Sequence, residues 1–170
     1  MTYDARPDLR FLFAHPAHLL ALGLGSGLAP RAPGTFGTLF GWATYALLAP
    51  HLPPWSWLLL LVGGFAIGCW ACMKTGQDLG AADHGSMVWD EIIAIWLVLL
   101  CTPSGFVWQA VGFAIFRFFD IVKPPPIGRF EMRFKSGAWA GFGVMGDDLI
   151  AAFYSLLTIA ILVRAVQAIV

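Results

Sequence analysis

The chain has 170 residues, with ten Lys and Arg balanced by ten Asp and Glu, which is a single-domain length with zero net charge. No global field draws in nucleic acid, and basic tracts with interleaved stacking aromatics are missing, so no nucleic-acid partner is expected. The 59 % hydrophobic content and mean hydropathy of +0.76 exceed the ~45–50 % apolar usage of soluble domains, and that excess points to a membrane.

Leu9 to Leu24 is mildly amphipathic and reads as a helix broken near Pro16. Arg6 and Arg10 precede this run, but Asp4, Asp8, His15, Pro16 and His18 interrupt it, so a cleaved signal is not expected. Gly23 to Thr38, GLGSGLAPRAPGTFGT, is too rich in Gly and Pro for regular structure. Phe36 to Ala49 is an apolar helix closed by Pro50 and the turn His51-Leu52-Pro53-Pro54. Trp55 to Met73 carries no charge and approaches the ~20 residues that cross a bilayer.

Lys74 to Glu91 reads as a polar loop. Ile92 to Cys101 and Phe106 to Phe119 form a helical hairpin around Thr102-Pro103-Ser104-Gly105, each arm short for a free-standing span. Leu149 to Val170 is a last long apolar helix, with Arg164 placed to snorkel near its end. The expected fold is all-α: one domain over residues 1–170, a compact bundle of five to six helices, membrane-associated or membrane-embedded.

Charge then orients the bundle. If Phe36–Ala49 goes out, Trp55–Met73 returns, the hairpin goes out and back and the last helix goes out, the two outer turns carry no Lys or Arg. Nine of the ten basic residues fall on the other side, which the positive-inside rule makes the cytoplasm. Gly23–Thr38, Lys74–Glu91 and Arg117–Asp148 meet on that face, so the active site belongs at the cytoplasmic helix ends.

Arg117 to Asp148 holds five of the ten basic residues, between strongly apolar runs. Mixed charge in such a setting is expensive to keep dry, so the stretch is read as a site. The acids on this face are Asp78, Asp83, Asp90, Glu91, Asp120, Glu131, Asp147 and Asp148. Asp83 and Asp90 would share one face if their segment were helical. The pairs Asp90–Glu91 and Asp147–Asp148 sit at the mouths of apolar helices, where the macrodipole alone favours acids by ~0.3–1 kcal/mol each. Asp120 is near a helix C-terminus, where the dipole disfavours an anion. An all-carboxylate set without His or Cys suits a hard cation, Mg²⁺ first.

Arg117, Asp120 and Lys123 follow one another at i,i+3, which gives either surface ion pairs or a phosphate clamp beside a metal-bound carboxylate. Pro124-Pro125-Pro126 stops the helix and fixes Lys123 at the rim. Pro33-Gly34-Thr35 offers a Gly turn, a hydroxyl and helix-start N–H groups for an anion. The four His form no site: His15, His18 and His51 read as interfacial, and His84 sits beside Asp83. Cys69, Cys72 and Cys101 lie in apolar surroundings, and Cys69-Trp70-Ala71-Cys72 reads as buried thiols rather than a metal or redox pair. Pro103-Ser104-Gly105-Phe106 echoes a lipid phosphate phosphatase motif, but Phe106 replaces its His.

The set APGTFGTLFG (Ala32 to Gly41), DHGSMVWDEI (Asp83 to Ile92), FRFFDIVKPPPIGRFE (Phe116 to Glu131) and GFGVMGDDLIAAF (Gly141 to Phe153) resembles the phosphatidylglycerophosphatase A family. Ala94 and Ala152 stand where that family has Gly, and Thr38 where Ser is common; these are small-for-small changes. The resemblance implies Mg²⁺-dependent hydrolysis of the terminal phosphate of phosphatidylglycerophosphate, giving phosphatidylglycerol, by a multi-pass protein of the bacterial cytoplasmic membrane. The combined expectation gives Asp83, Asp90, Glu91, Asp120, Asp147 and Asp148 as metal ligands. Among them Asp83, Asp90, Asp120 and Asp148 are catalytic, and Arg117, Lys123, Gly34 and Thr35 hold the substrate phosphate. Attack by water and a covalent aspartyl phosphate both fit the residues. The competing classes are a cation-coupled carrier or scaffold and a soluble helical bundle.

Overall fold

The computed structural model describes residues 6–125, 127, 134 and 139–169, and among these there is helix, turn and loop but no strand. The elements are α1 (Leu9–Ala14), α2 (Pro16–Ala21), a 3₁₀ segment (Gly23–Leu28), α3 (Pro33–Leu48), α4 (Pro54–Leu79), α5 (Trp89–Cys101), α6 (Phe106–Val122) and α7 (Ala140–Ile169). The all-α expectation holds. The first helix is split because His15 adopts extended backbone, its ring accepts the Ala17 N–H, and Pro16 opens α2.

Three boundaries differ from the sequence reading, each for a local reason. Helix α3 starts at Pro33, which presets the first-turn φ, so Gly34 and Thr35 lie inside the first turn. Helix α4 runs on to Leu79 and stops at Gly80, whose φ of 70° lets its N–H reach Gln77 O while Ala81 N–H reaches Gly76 O. The polar loop therefore shrinks to residues 80–88.

Helix α7 starts at Ala140 rather than Leu149. Gly141 and Gly143 look like loop residues in sequence, but Gly141 packs directly on the Cys69 carbonyl of α4, where a Cβ has no room. Close backbone packing here overrides the low helix propensity of Gly.

Helix α5 is the centre of the bundle, in contact with α3, α4, α6 and α7. Ile92, Ile93, Ala94, Ile95, Val98 and Leu99 are buried around its whole circumference. Gly41 of α3 meets Ile92 and Ile95 so closely that any side chain would clash. The indole N–H of Trp96 donates to Gly41 O at 2.9 Å, and that of Trp89 to Gly64 O at 2.9 Å, so the large aromatics fix helix spacing without leaving a buried donor unpaired.

Two helices, α4 and α7, are long and apolar enough to cross a membrane, with mean hydropathies of 1.9 and 2.2 over an apolar stretch of each. Only 22 % of each of these stretches is buried, so their apolar faces point outward rather than into a core. Leu58, Leu59, Val62, Phe153, Leu157 and Ile161 are all exposed on them. Such a belt needs a non-aqueous neighbour.

Candidate active site

The start of α5, the end of α6 and the early turns of α7 bring acids together. One carboxylate oxygen each from Asp90, Glu91 and Asp148 lies within 4.8 Å of the others. Asp120 and Asp147 flank them, and all five acids are buried. The Asp90 and Glu91 side chains come from the first turn of α5, and Asp90 Oδ1 accepts the Glu91 N–H at 3.1 Å. Asp147 and Asp148 are not at a helix mouth as expected. They lie two turns inside α7, beyond the reach of its N-terminal dipole, so the capping explanation fails for that pair.

Repulsion in this cluster is strong. Burial pushes the Glu91 carboxyl up to about 8, with the Asp148 and Asp120 charges adding to the rise and Asp90 and Arg117 opposing it. Burial also raises Asp90 well above the usual carboxylate range, reinforced by Glu91. Glu91 Oε2 and Asp148 Oδ2 are buried without a hydrogen-bond donor among the described residues. Carboxylate oxygens converging from Asp90, Glu91 and Asp148, with no nitrogen or sulfur ligand in the group, fit a hard divalent cation.

Arg117 lies across the top of the acids. Its Nη1 donates to Asp120 Oδ2 and, at 3.4 Å, to Thr38 Oγ1, and lies 3.6 Å from Glu91 Oε1. Its Nε is buried without an acceptor among the described residues. Gly34 is pressed against this assembly: a Cβ there would run into Glu91 Oε1 and sit 3.2 Å from both terminal nitrogens of Arg117. Thr38 was not in the candidate set. Its hydroxyl donates to Gly34 O at 2.8 Å while accepting from Arg117, so it ties the α3 turn to the guanidinium. The signal was available, since Thr38 stands one helical turn after Gly34.

Lys123 does not pair with Asp120 as its spacing suggested. Lys123 caps α6 in a left-handed conformation, φ 44° and ψ 58°, immediately before Pro124. That turn carries Nζ across to Asp147 Oδ2 at 2.6 Å. A non-Gly residue held there stores about 1 kcal/mol or more of strain, which is typical of functional sites.

Other candidates go elsewhere. Asp83 lies in the 80–88 loop, so the shared helical face with Asp90 does not exist; it is half-buried and outside the three-carboxylate group, although near enough to act on Asp90. Thr35 is half-buried in the first turn of α3, with its N–H on Ala32 O. Asp78 accepts from Lys74 and from His18 Nε2 at 2.7 Å. His18 is therefore buried rather than interfacial, stacked on Phe11 and pinning α1 and α2 to α4. Glu131 lies outside the described residues. The three cysteines are free.

The family model of phosphatidylglycerophosphatase A matches residues 19–163. The chain belongs to the phosphatidylglycerophosphatase A family. A phosphatidylglycerophosphatase A of Haemophilus influenzae is 43 % identical over 157 residues, covering 92 % of this chain and 94 % of the relative. One of Escherichia coli is 41 % identical over 147 residues, covering 86 % and 83 %. A Bacteroides thetaiotaomicron protein described as a putative phosphatidylinositol-3-phosphatase is 39 % identical over 150 residues, covering 84 % and 91 %. No solved structure matches the chain. In this phosphatidylglycerophosphatase A family member, every residue of the buried cluster, from Gly34 to Asp148, falls inside the matched span.

Proposed function

We propose that the chain is a Mg²⁺-dependent phosphatase that hydrolyses the terminal phosphomonoester of phosphatidylglycerophosphate to give phosphatidylglycerol. The observation that carries this reading is the Asp90–Glu91–Asp148 carboxylate group beside a guanidinium with an unspent N–H. Family membership supplies the substrate class.

Asp90, Glu91 and Asp148 would hold the cation, with Asp120 and Asp147 beside them. A divalent cation held there would offset the carboxylate repulsion and supply Lewis-acid charge for the phosphoryl oxygens. Arg117 Nε and the terminal nitrogens donate to the phosphate, and Asp120 and Thr38 hold that guanidinium in place. Gly34 lets the first turn of α3 close on Glu91 and Arg117 with no side chain between them, and Lys123 adds positive charge from the rim. A carboxylate oxygen of the cluster that the cation leaves free would take a proton from the attacking water as the phosphorus–oxygen bond to the glycerol breaks, and would return it to the departing glycerol oxygen.

The outward apolar faces of α4 and α7 support a membrane-embedded bundle, in which the diacyl tails stay in lipid while the headgroup reaches the helix ends. The turns at the opposite end carry no Lys or Arg, which supports a site facing the cytoplasm of a bacterial inner membrane. The test is hydrolysis of phosphatidylglycerophosphate by the purified chain in mixed micelles, with Mg²⁺ or with EDTA. Phosphate and phosphatidylglycerol should appear together only with the metal. No turnover by folded protein would contradict the reading and favour a carrier or scaffold.

A further inference from the structure

The carboxylate cluster deals with a phosphomonoester, yet relatives of this chain carry names with different headgroups. What such lipids share besides the monoester is the diester that joins the headgroup to diacylglycerol, and one cavity is placed to hold it. A polar cavity of about 400 Å³ opens between the chain before α1, the 3₁₀ segment, the start of α3 and the 80–88 loop. Arg6, Leu28, Pro33, His84 and Ser86 are among its walls. Pro33 is joined to Gly34, which is pressed against Glu91 and Arg117, so one wall of the cavity continues directly into the cluster. A single residue step is about 3.8 Å, within reach of a glycerol bridge.

Two features give the cavity its chemistry. The Ser86 N–H donates to His84 Nδ1 at 3.2 Å. A ring nitrogen that accepts cannot also carry the proton, so Nε2 carries it and is a donor. Arg6 is exposed and has no ion-pair partner among the described residues. The cavity is also firmly built: Gly27 of the 3₁₀ segment rests on the Ser86 carbonyl with no space for a Cβ, and Val88 N–H bonds Ala21 O at 2.8 Å. Just beyond it, Leu9 and Phe13 are exposed on α1, a surface suited to the edge of a bilayer.

We propose that this cavity holds the phosphodiester of the lipid substrate, with the Arg6 guanidinium and His84 Nε2–H as donors. The inference rests on the phosphatase reading and adds to it. A substrate with two phosphates joined by glycerol would place the monoester at Arg117 and the diester beside Arg6. Arg6 lies before the segment that the family model matches, and His84 lies inside it.

The test compares full-length wild type with Arg6→Ala, His84→Ala and Arg10→Ala in neutral detergent micelles. Arg10 is exposed on α1 and does not line the cavity. Binding of phosphatidylglycerol, which keeps only the diester, is measured by calorimetry against diacylglycerol, and KM and kcat are measured on phosphatidylglycerophosphate. Arg6→Ala and His84→Ala should each weaken phosphatidylglycerol binding about tenfold, the scale of one charge-assisted contact, and raise KM similarly with kcat within about twofold. Arg10→Ala should change neither, and diacylglycerol binding should be the same in all four. Unchanged phosphatidylglycerol binding in both cavity variants overturns the proposal. So does an equal loss in Arg10→Ala, which marks a general attraction to anionic micelles, and so does a fall in kcat at constant KM. If wild type binds phosphatidylglycerol through Arg6 and His84 but hydrolyses nothing, the phosphatase reading falls and the cavity assignment stands.

Discussion

The two ends of this bundle are built from the same helices and differ in kind. At one end, α3, α5, α6 and α7 bring five buried acids, two cations and a crowded glycine together. At the other, the turn after Cys101 and the second half of α7 enclose a larger cavity, about 560 Å³, lined by Leu100, Pro103, Ile159 and Arg164 but by no acid. The larger space has the poorer chemistry. Charge buried without enough partners locates a reaction better than volume does, because burial makes each unpaired oxygen costly until something binds it.

The largest effect should follow from touching the acids. Asp148→Asn, Glu91→Gln or Asp90→Asn should lower kcat about a hundredfold or more, roughly 2.7 kcal/mol of barrier, with the helical fold intact by circular dichroism. Next is Gly34→Ala. Its methyl group would press on Glu91 and Arg117, and activity should drop at least about tenfold while the same change at Gly63, which faces open space, leaves it unaltered.

A smaller effect is thermal. In metal-free protein the Glu91 carboxyl titrates near 8 rather than at its ordinary 4.5, so its contribution to stability is complete below about 4.5 and is lost as pH rises through about 8. The melting temperature without metal should fall by a few degrees across that window, and Mg²⁺ should remove most of the fall. A flat profile without metal would mean that Glu91 is not buried with the other acids. Smallest is Arg164→Ala at the far end, where kcat and KM should stay within about twofold; a large loss there would undo the contrast between the two ends.

Much of the site end was legible in sequence, because charged residues in an apolar chain have few places to go. Gly34, the Asp90–Glu91 pair, the Arg117–Asp120 pair and Asp148 lie far apart along the chain and meet at one end of the bundle. What failed was local. Spacing paired Lys123 with Asp120, but a left-handed residue before Pro124 turned it toward Asp147. Asp83 looked helical with Asp90, yet Gly80 ends α4 and leaves Asp83 in a loop. Asp147 and Asp148 looked like capping acids because Gly141, Gly143 and Gly146 disguise the first turns of α7, whose stability comes from packing on α4. His18 looked interfacial because its partner, Asp78, is sixty residues away. Thr38 looked like a packing residue because nothing local marks a hydroxyl that will receive Arg117.

The decisive measurement is a Mg²⁺ titration of phosphate release from phosphatidylglycerophosphate by wild type, Asp148→Asn and Arg164→Ala. Wild type and Arg164→Ala should both rise from near zero in EDTA to the same saturating rate, while Asp148→Asn should stay near the EDTA baseline at every concentration. Phosphate release that ignores EDTA, or an Asp148→Asn curve that matches wild type, would contradict a divalent-cation centre at the acidic end of the bundle.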